Sequence, residues 1–210
     1  RDRLRSRGLG DVYKRQTLQN AFRVKEVRQK LVYTFMMLVV FRIGSQMPIP
    51  GANTSFFDEL FARYNNDAFG FLNSITGGSL TNMSVFALSI TPYITSSIIM
   101  QLLTIAIPKL EEMQRDGEEG RKKIQEYTRY LTVGLALMQS AAMAIGFGGQ
   151  GLLLDFTALN VIVTVATMTA GSAVLMWIGE RITENGVGNG ISIVLLFNIL
   201  STVSYTHLTL

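Results

Sequence analysis

The charges of this chain fall in clusters, and the stretches between the clusters carry almost none. That pattern limits the fold more than any single motif. Five apolar stretches follow one another, at about 31–47, 83–107, 131–147, 152–178 and 191–202. A bilayer-spanning helix needs about 20 mostly apolar residues. The second to fourth stretches reach or approach that length. One such stretch could be a buried helix of a water-soluble domain. Four or five in tandem, joined by compact charged segments, point to a polytopic membrane protein. Charged residues make up 16% of the 210 residues, below the roughly 25% of a typical soluble domain. There is no Cys, which removes thiol nucleophiles, Cys-ligated zinc and Fe–S clusters. No metal site and no cofactor are expected.

The ends call for separate treatment. Residues 1–16 hold six basic and two acidic groups, and the rest of the chain is balanced at 13 of each. Asp11-Val12-Tyr13-Lys14-Arg15-Gln16 can be encoded by GAT GTG TAT AAG AGA CAG. Val203-Ser204-Tyr205-Thr206-His207-Leu208 can be encoded by GTC TCT TAT ACA CAT CTG. With a final A in the codon of Gly10, the two strings share a stretch in reverse complement, as a transposon-end adaptor would. Residues 1–16 and 203–210 are therefore expected to be adaptor-derived scars, which are set aside in fold reasoning. His207, the only His, goes with them. Residues 17–202 remain.

Lys and Arg set the orientation. Residues 17–30 carry four, 48–82 one, 108–130 six, 148–151 none and 180–190 one. The alternation places the N-terminus and 108–130 in the cytoplasm and 48–82 outside. Residues 17–30 are amphipathic and are expected to form an interfacial helix that feeds the first span. In 48–82, Pro48-Ile49-Pro50-Gly51 makes a rigid exit. The run Phe69 to Leu80 is apolar, too short to cross, and ends in Gly77-Gly78. Two readings are open: a re-entrant half-helix lining a cavity, or an amphipathic helix on the outer leaflet. The second span carries many hydroxyls, Pro92, which is expected to bend it, and Gln101, which is expected to face the protein interior.

Several motifs resemble the SecY family, the central subunits of the bacterial protein-conducting channel. They are Phe41-Arg42-Ile43-Gly44-Ser45 with Pro48-Ile49-Pro50-Gly51, Gly77-Gly78-Ser79-Leu80, and Phe86-Ala87-Leu88-Ser89-Ile90-Thr91-Pro92-Tyr93-Ile94. Gln101-Leu102-Leu103-Thr104, Gly117-Glu118-Glu119-Gly120-Arg121-Lys122-Lys123-Ile124 and Tyr127-Thr128-Arg129-Tyr130 come next. The series closes with Trp177-Ile178-Gly179-Glu180-Arg181-Ile182-Thr183-Glu184 and Gly188-Asn189-Gly190-Ile191-Ser192.

The resemblance implies an all-α polytopic membrane protein of about five transmembrane helices with a short re-entrant plug helix. This would be the first half of a ten-helix inverted-repeat channel. It implies a plug containing Phe71, Leu72, Ile75, Gly77 and Gly78, and a ring of apolar pore residues at Ile90, Ile94 and Leu195. Leu195 departs from the common Ile. It implies a lateral gate with polar interior positions at Ser96, Ser97, Gln101, Thr104 and Asn189. It also implies a cytoplasmic loop with Glu118, Glu119, Arg121, Lys122 and Lys123. The ring spacing, i and i+4 at Ile90 and Ile94, fits ordinary core packing equally well. The implied function is translocation of preproteins across, and insertion of membrane proteins into, the bacterial plasma membrane, without covalent chemistry. The implied partners are SecE and SecG, the SecA motor or a ribosome, signal sequences, unfolded preproteins and lipid, with no direct nucleic-acid contact. The competing classes are a small-molecule transporter or ion channel, with Asp155 the nearest ionisable candidate, and a fragment without function of its own. Residues 186–190 lack the following Lys-Ser/Thr and the preceding strand of a phosphate loop, so that reading is rejected.

Overall fold

The computed structural model describes residues 24–57, 59–60 and 75–208, with side chains to Ser201. The adaptor-like residues 1–16, the start of the proposed interfacial helix (17–23), and Phe71 and Leu72 of the proposed plug lie outside the described residues.

The described residues fold into helices: α1 (Lys25–Ser45), α2 (Thr91–Ala106), α3 (Pro108–Arg115), α4 (Glu118–Phe147), α5 (Ala158–Asn185) and α6 (Gly190–Leu208). A π-helical turn, Gly148–Leu152, closes α4. Each of the five apolar stretches lies on one of these helices or overlaps it. Among the described residues, α5 and α4 with its π turn are long and apolar enough to cross a membrane, and α2 with α3 passes if that bent pair is one span. α1 falls short because its first turns hold Lys25, Glu26, Arg28 and Lys30 and its last turn holds Arg42. α1 runs unbroken from Lys25, so no separate interfacial helix exists within 25–30.

Three expectations need correction. The second apolar stretch is helical only from Thr91. Residues 77–90 form consecutive turns in which Met83 and Ser89 take φ of 44° and 54°, and left-handed residues cannot continue a right-handed helix. Pro92 therefore opens α2 instead of bending it. The first turn is where a missing N–H costs nothing. The bend lies further on, at 102° between α2 and α3. Ile107 there is extended (φ −111°, ψ 112°), as a residue before proline prefers to be. Finally, Glu118, Glu119, Arg121, Lys122 and Lys123 belong to the first turns of α4, not to a loop. Glu118 and Glu119 there complement the helix dipole.

α4 buries Thr128, Thr132, Ala136, Ser140 and Ala144, a small residue every four positions. Such stripes let helices approach closely in a bilayer. Ser140 Oγ meets Thr169 Oγ1 of α5 at 3.1 Å. α5 also passes hard against the turn segment, since a Cβ on Gly171 would strike the Val85 carbonyl.

The bundle has two distinct ends. At one, the exit after α1 pairs with the turn segment (Ile49 N–H to Met83 O, Val85 N–H to Met47 O, both 2.9 Å). It also pairs with the strand-like residues after the π turn (Asn53 N–H to Leu152 O, 2.8 Å; Leu154 N–H to Gly51 O, 3.0 Å). At the other end lie the start of α1, α3, the start of α4 and the α5–α6 connection. Thr34 Oγ1 receives Val187 N–H at 3.2 Å there. All described Lys and Arg residues except Arg42 lie toward that second end. Val32, Phe35, Met36, Val39, Val40 and Ile43 of α1 stay exposed, as a lipid-facing stripe would.

Candidate functional site

One apolar cluster unites α1, the turn segment, α2, α5 and α6. Its buried members include Phe41, Phe86, Ile90, Tyr93, Ile178 and Val194. Phe41 and Phe86 stack with ring centroids 5.7 Å apart. The three expected ring residues meet here. Ile90 is buried to 1% exposure, and Ile94 and Leu195 are partly buried against the cluster. Ile90 thus lies beneath the surface on which Ile94 and Leu195 sit.

The glycine pair lies against the same cluster. Gly77 and Gly78 take φ of +66° and +78°, a region open to glycine without a steric penalty. Arg42 Nη1 donates to the Gly77 carbonyl at 3.3 Å. Behind Gly77 stands Asn198 of α6, whose Oδ1 would be 2.9 Å from a Cβ added to that glycine. Asn198 is buried, and its Nδ2 donates to Ser89 Oγ at 3.3 Å. Ile75, at the near end of the expected plug, is half-buried. Neither Asn198 nor Ser89 was marked by sequence reasoning. The available signal was an Asn in an otherwise uncharged apolar run, which demands a partner at membrane depth.

The expected gate residues divide. Ser96 and Thr104 are buried and donate back to Pro92 O and Met100 O, both at 2.7 Å, so their hydroxyls are satisfied within α2. Ser97 and Gln101 instead open onto a groove of about 560 Å³ between α2, α3 and α4, shared with Thr104, Gln114, Arg121 and Gln125. Gln101 is therefore exposed rather than turned inward, and its Nε2 lies 3.5 Å from Ser97 Oγ. Among the described residues of this half-bundle, nothing packs over that side chain. Asn189 is exposed too, and its Oδ1 accepts Ile191 N–H at 3.1 Å, so it caps α6 and is not an interior polar group. Of the five charged residues at the start of α4, Arg121 alone reaches the groove.

An ion pair that sequence reasoning passed over ties α4 to α5. Arg129 Nε meets Glu180 Oε1 at 2.9 Å, and Gln125 Nε2 donates to the same oxygen at 3.4 Å. Nearby, Arg181 lies 5.7 Å over the Trp177 ring, an arrangement suited to a membrane–water boundary. Among the described residues no cluster of His, Cys, Asp or Glu could hold a metal ion. Asp155 is exposed in the connection before α5, where its carbonyl accepts from Thr157 N–H and Asn160 Nδ2.

The comparisons with known proteins agree with this geometry. The family model described as SecY matches residues 84–209. Protein translocase subunit SecY of Halalkalibacterium halodurans is 45% identical over 191 residues, covering 90% of this chain and 44% of the relative. The subunit of the same name from Staphylococcus aureus is 45% identical over 192 residues, with the same coverage. The chain thus spans less than half the length of these curated relatives. Among solved structures, Sec61 in the canine ribosome-channel complex from the endoplasmic reticulum superposes with a TM-score of 0.60. It is 22% identical and covers 86% of this chain and 38% of its own.

Proposed function

The chain belongs to the SecY family, and from that premise we propose that it supplies one half of the wall of a protein-conducting channel. The whole channel passes unfolded preproteins across the bacterial plasma membrane and releases apolar segments sideways into lipid. The observation that carries this reading is the meeting of Ile90, Ile94 and Leu195 at one apolar cluster, with the Gly77–Gly78 turn docked beside it. Branched apolar side chains around a narrow path exclude water and ions, yet yield to a passing chain. Phe71, Leu72, Ile75, Gly77 and Gly78 form the plug, and the docked glycine pair is its hinge.

The groove at Ser97, Gln101 and Thr104 belongs to the lateral gate, and its open side is where the opposite half of the channel closes. Buried Ser96 and the Asn189 cap stiffen the two helices that frame this region. Glu118, Glu119, Arg121, Lys122 and Lys123 contribute to the cytoplasmic face, toward which the basic end of the bundle points. SecE and SecG brace the bundle, and SecA or a translating ribosome drives the substrate. The chain performs no covalent chemistry, uses no cofactor and makes no direct nucleic-acid contact. Its N-terminus lies in the cytoplasm, as the charge distribution supports. The place of Asp155 in a connection, outside any span, weighs against a small-molecule transporter, which needs an ionisable group near mid-membrane.

The test is a planar-bilayer recording on a full-length channel carrying these residues. Ile90→Ser with Ile94→Ser is expected to raise resting ion conductance and to relax the need for a strong signal sequence. Wild-type currents from that variant would overturn the ring assignment.

A further inference from the structure

Arg42 is the single cation inside the first apolar stretch, and no ion pair holds it among the described residues. Its guanidinium instead reaches 35 residues along the chain to one backbone carbonyl, that of Gly77. The opposite side of that glycine is closed by α6, where Asn198 places Oδ1 and Cα at 2.9 and 3.2 Å from the position a Cβ would take. The carboxamide is itself anchored by Ser89, the residue whose left-handed backbone ends the turn segment. Two polar side chains from two different helices thus fix one peptide from opposite sides. Both occupy otherwise apolar surroundings, where a polar side chain is costly unless it is engaged.

We propose that Arg42 and Asn198 form a two-sided latch on the Gly77 hinge and act as positioning residues that hold the plug in its seat. This rests on the plug reading given above. One jaw rides on α1 and the other on α6, so any motion that carries these helices apart releases one side. Channel widening and plug release are then a single event, with no separate signal to the plug.

The experiment uses a full-length channel carrying these residues, reconstituted in planar bilayers, with resting conductance as the readout. Transport of a preprotein with a weakened signal sequence is the second readout. Removing residues 71–78 first establishes that the plug seals. Arg42→Gln and Asn198→Ala are each expected to raise resting conductance about tenfold, the scale of one lost hydrogen bond to a charged or buried group. Their combination is expected to fall short of the product, because both act on the same peptide. Arg42→Lys, which keeps a donor within reach, is expected to restore most of the seal without changing the melting temperature. If removal of 71–78 raises the leak but neither single substitution does, the latch is wrong and the plug stands. If removal itself leaves the leak unchanged, the plug reading falls and takes the latch with it. Should Asn198→Ala fail to fold, Arg42→Gln with Arg42→Lys decides on its own. A leak with Gln that Lys does not reverse counts against the latch.

Discussion

Glu180 is a buried carboxylate with its charge partner on another helix. Arg129 is partly in water while Glu180 is enclosed, with side-chain exposures of 42% and 9%. Removing the arginine leaves a buried charge with only Gln125 to answer it. Arg129→Ala is expected to destabilise the detergent-solubilised protein by about 1–3 kcal/mol, below the range for a fully buried pair because solvent already screens the arginine. Glu180→Gln in that background should recover part of the loss, as thermal unfolding would show. A second position argues from space instead of charge. Gly171 faces the Val85 carbonyl so closely that even a methyl group has no room. Gly171→Ala is expected to cost about 1–3 kcal/mol, the usual price of overpacking, measured in the same melts. Neither residue stands out in the sequence. Glu180 reads as one more charge beside Arg181, and Gly171 as one more small residue in an apolar run. Only the partner across the interface reveals what each does, and the partners lie 51 and 86 positions away.

At the level of elements, hydropathy located the helices better than it located their ends. The stretch 83–107 is apolar throughout, yet its first eight residues are turns, because burial in protein satisfies an apolar sequence whatever its backbone does. The left-handed Met83 and Ser89 leave no trace in composition. Proline carried more information than its first reading took from it. Pro92 begins a helix, and Pro108 begins another after a corner. Pro92→Ala is therefore expected to change stability by less than about 0.5 kcal/mol, since the first turn tolerates either residue. Pro108→Ala removes the constraint that keeps Ile107 extended. Spin labels at Ile98 and Gln114 should then report a longer mean distance as α2 and α3 approach one line; an unchanged distance would assign the corner to packing against α4. The ring residues were legible from motif and spacing, whereas the burial of Ile90 beneath Ile94 and Leu195 was not. The gate residues were legible as polar, but not as two groups, one bonded back into its own helix and one open to a groove.

For the molecule as a whole, charge asymmetry that is only a tally along the sequence becomes a direction in space. The exit after α1 and the connection before α5 are stitched to each other at one end, while the basic residues gather at the other. Because the chain has no cysteine, single cysteines can read this directly. In inverted membrane vesicles, whose cytoplasmic face is outward, Lys122→Cys is expected to react with a membrane-impermeant maleimide and Asn53→Cys to be protected. Intact spheroplasts should give the reverse, and labelling of both from one side would refute the assigned orientation. The right-angle corner at Ile107 has a mechanical meaning at this scale. α3 extends about 12 Å from it, so tilting α2 by about 10° displaces the far end of α3 by about 2 Å along the direction of the α2 axis. The pair is a bell crank: sideways sway of a wall helix emerges as a push or pull perpendicular to the membrane. Because Met113 of α3 bears on Gly120 of α4, that stroke is delivered into the neighbouring helix and is not lost to water.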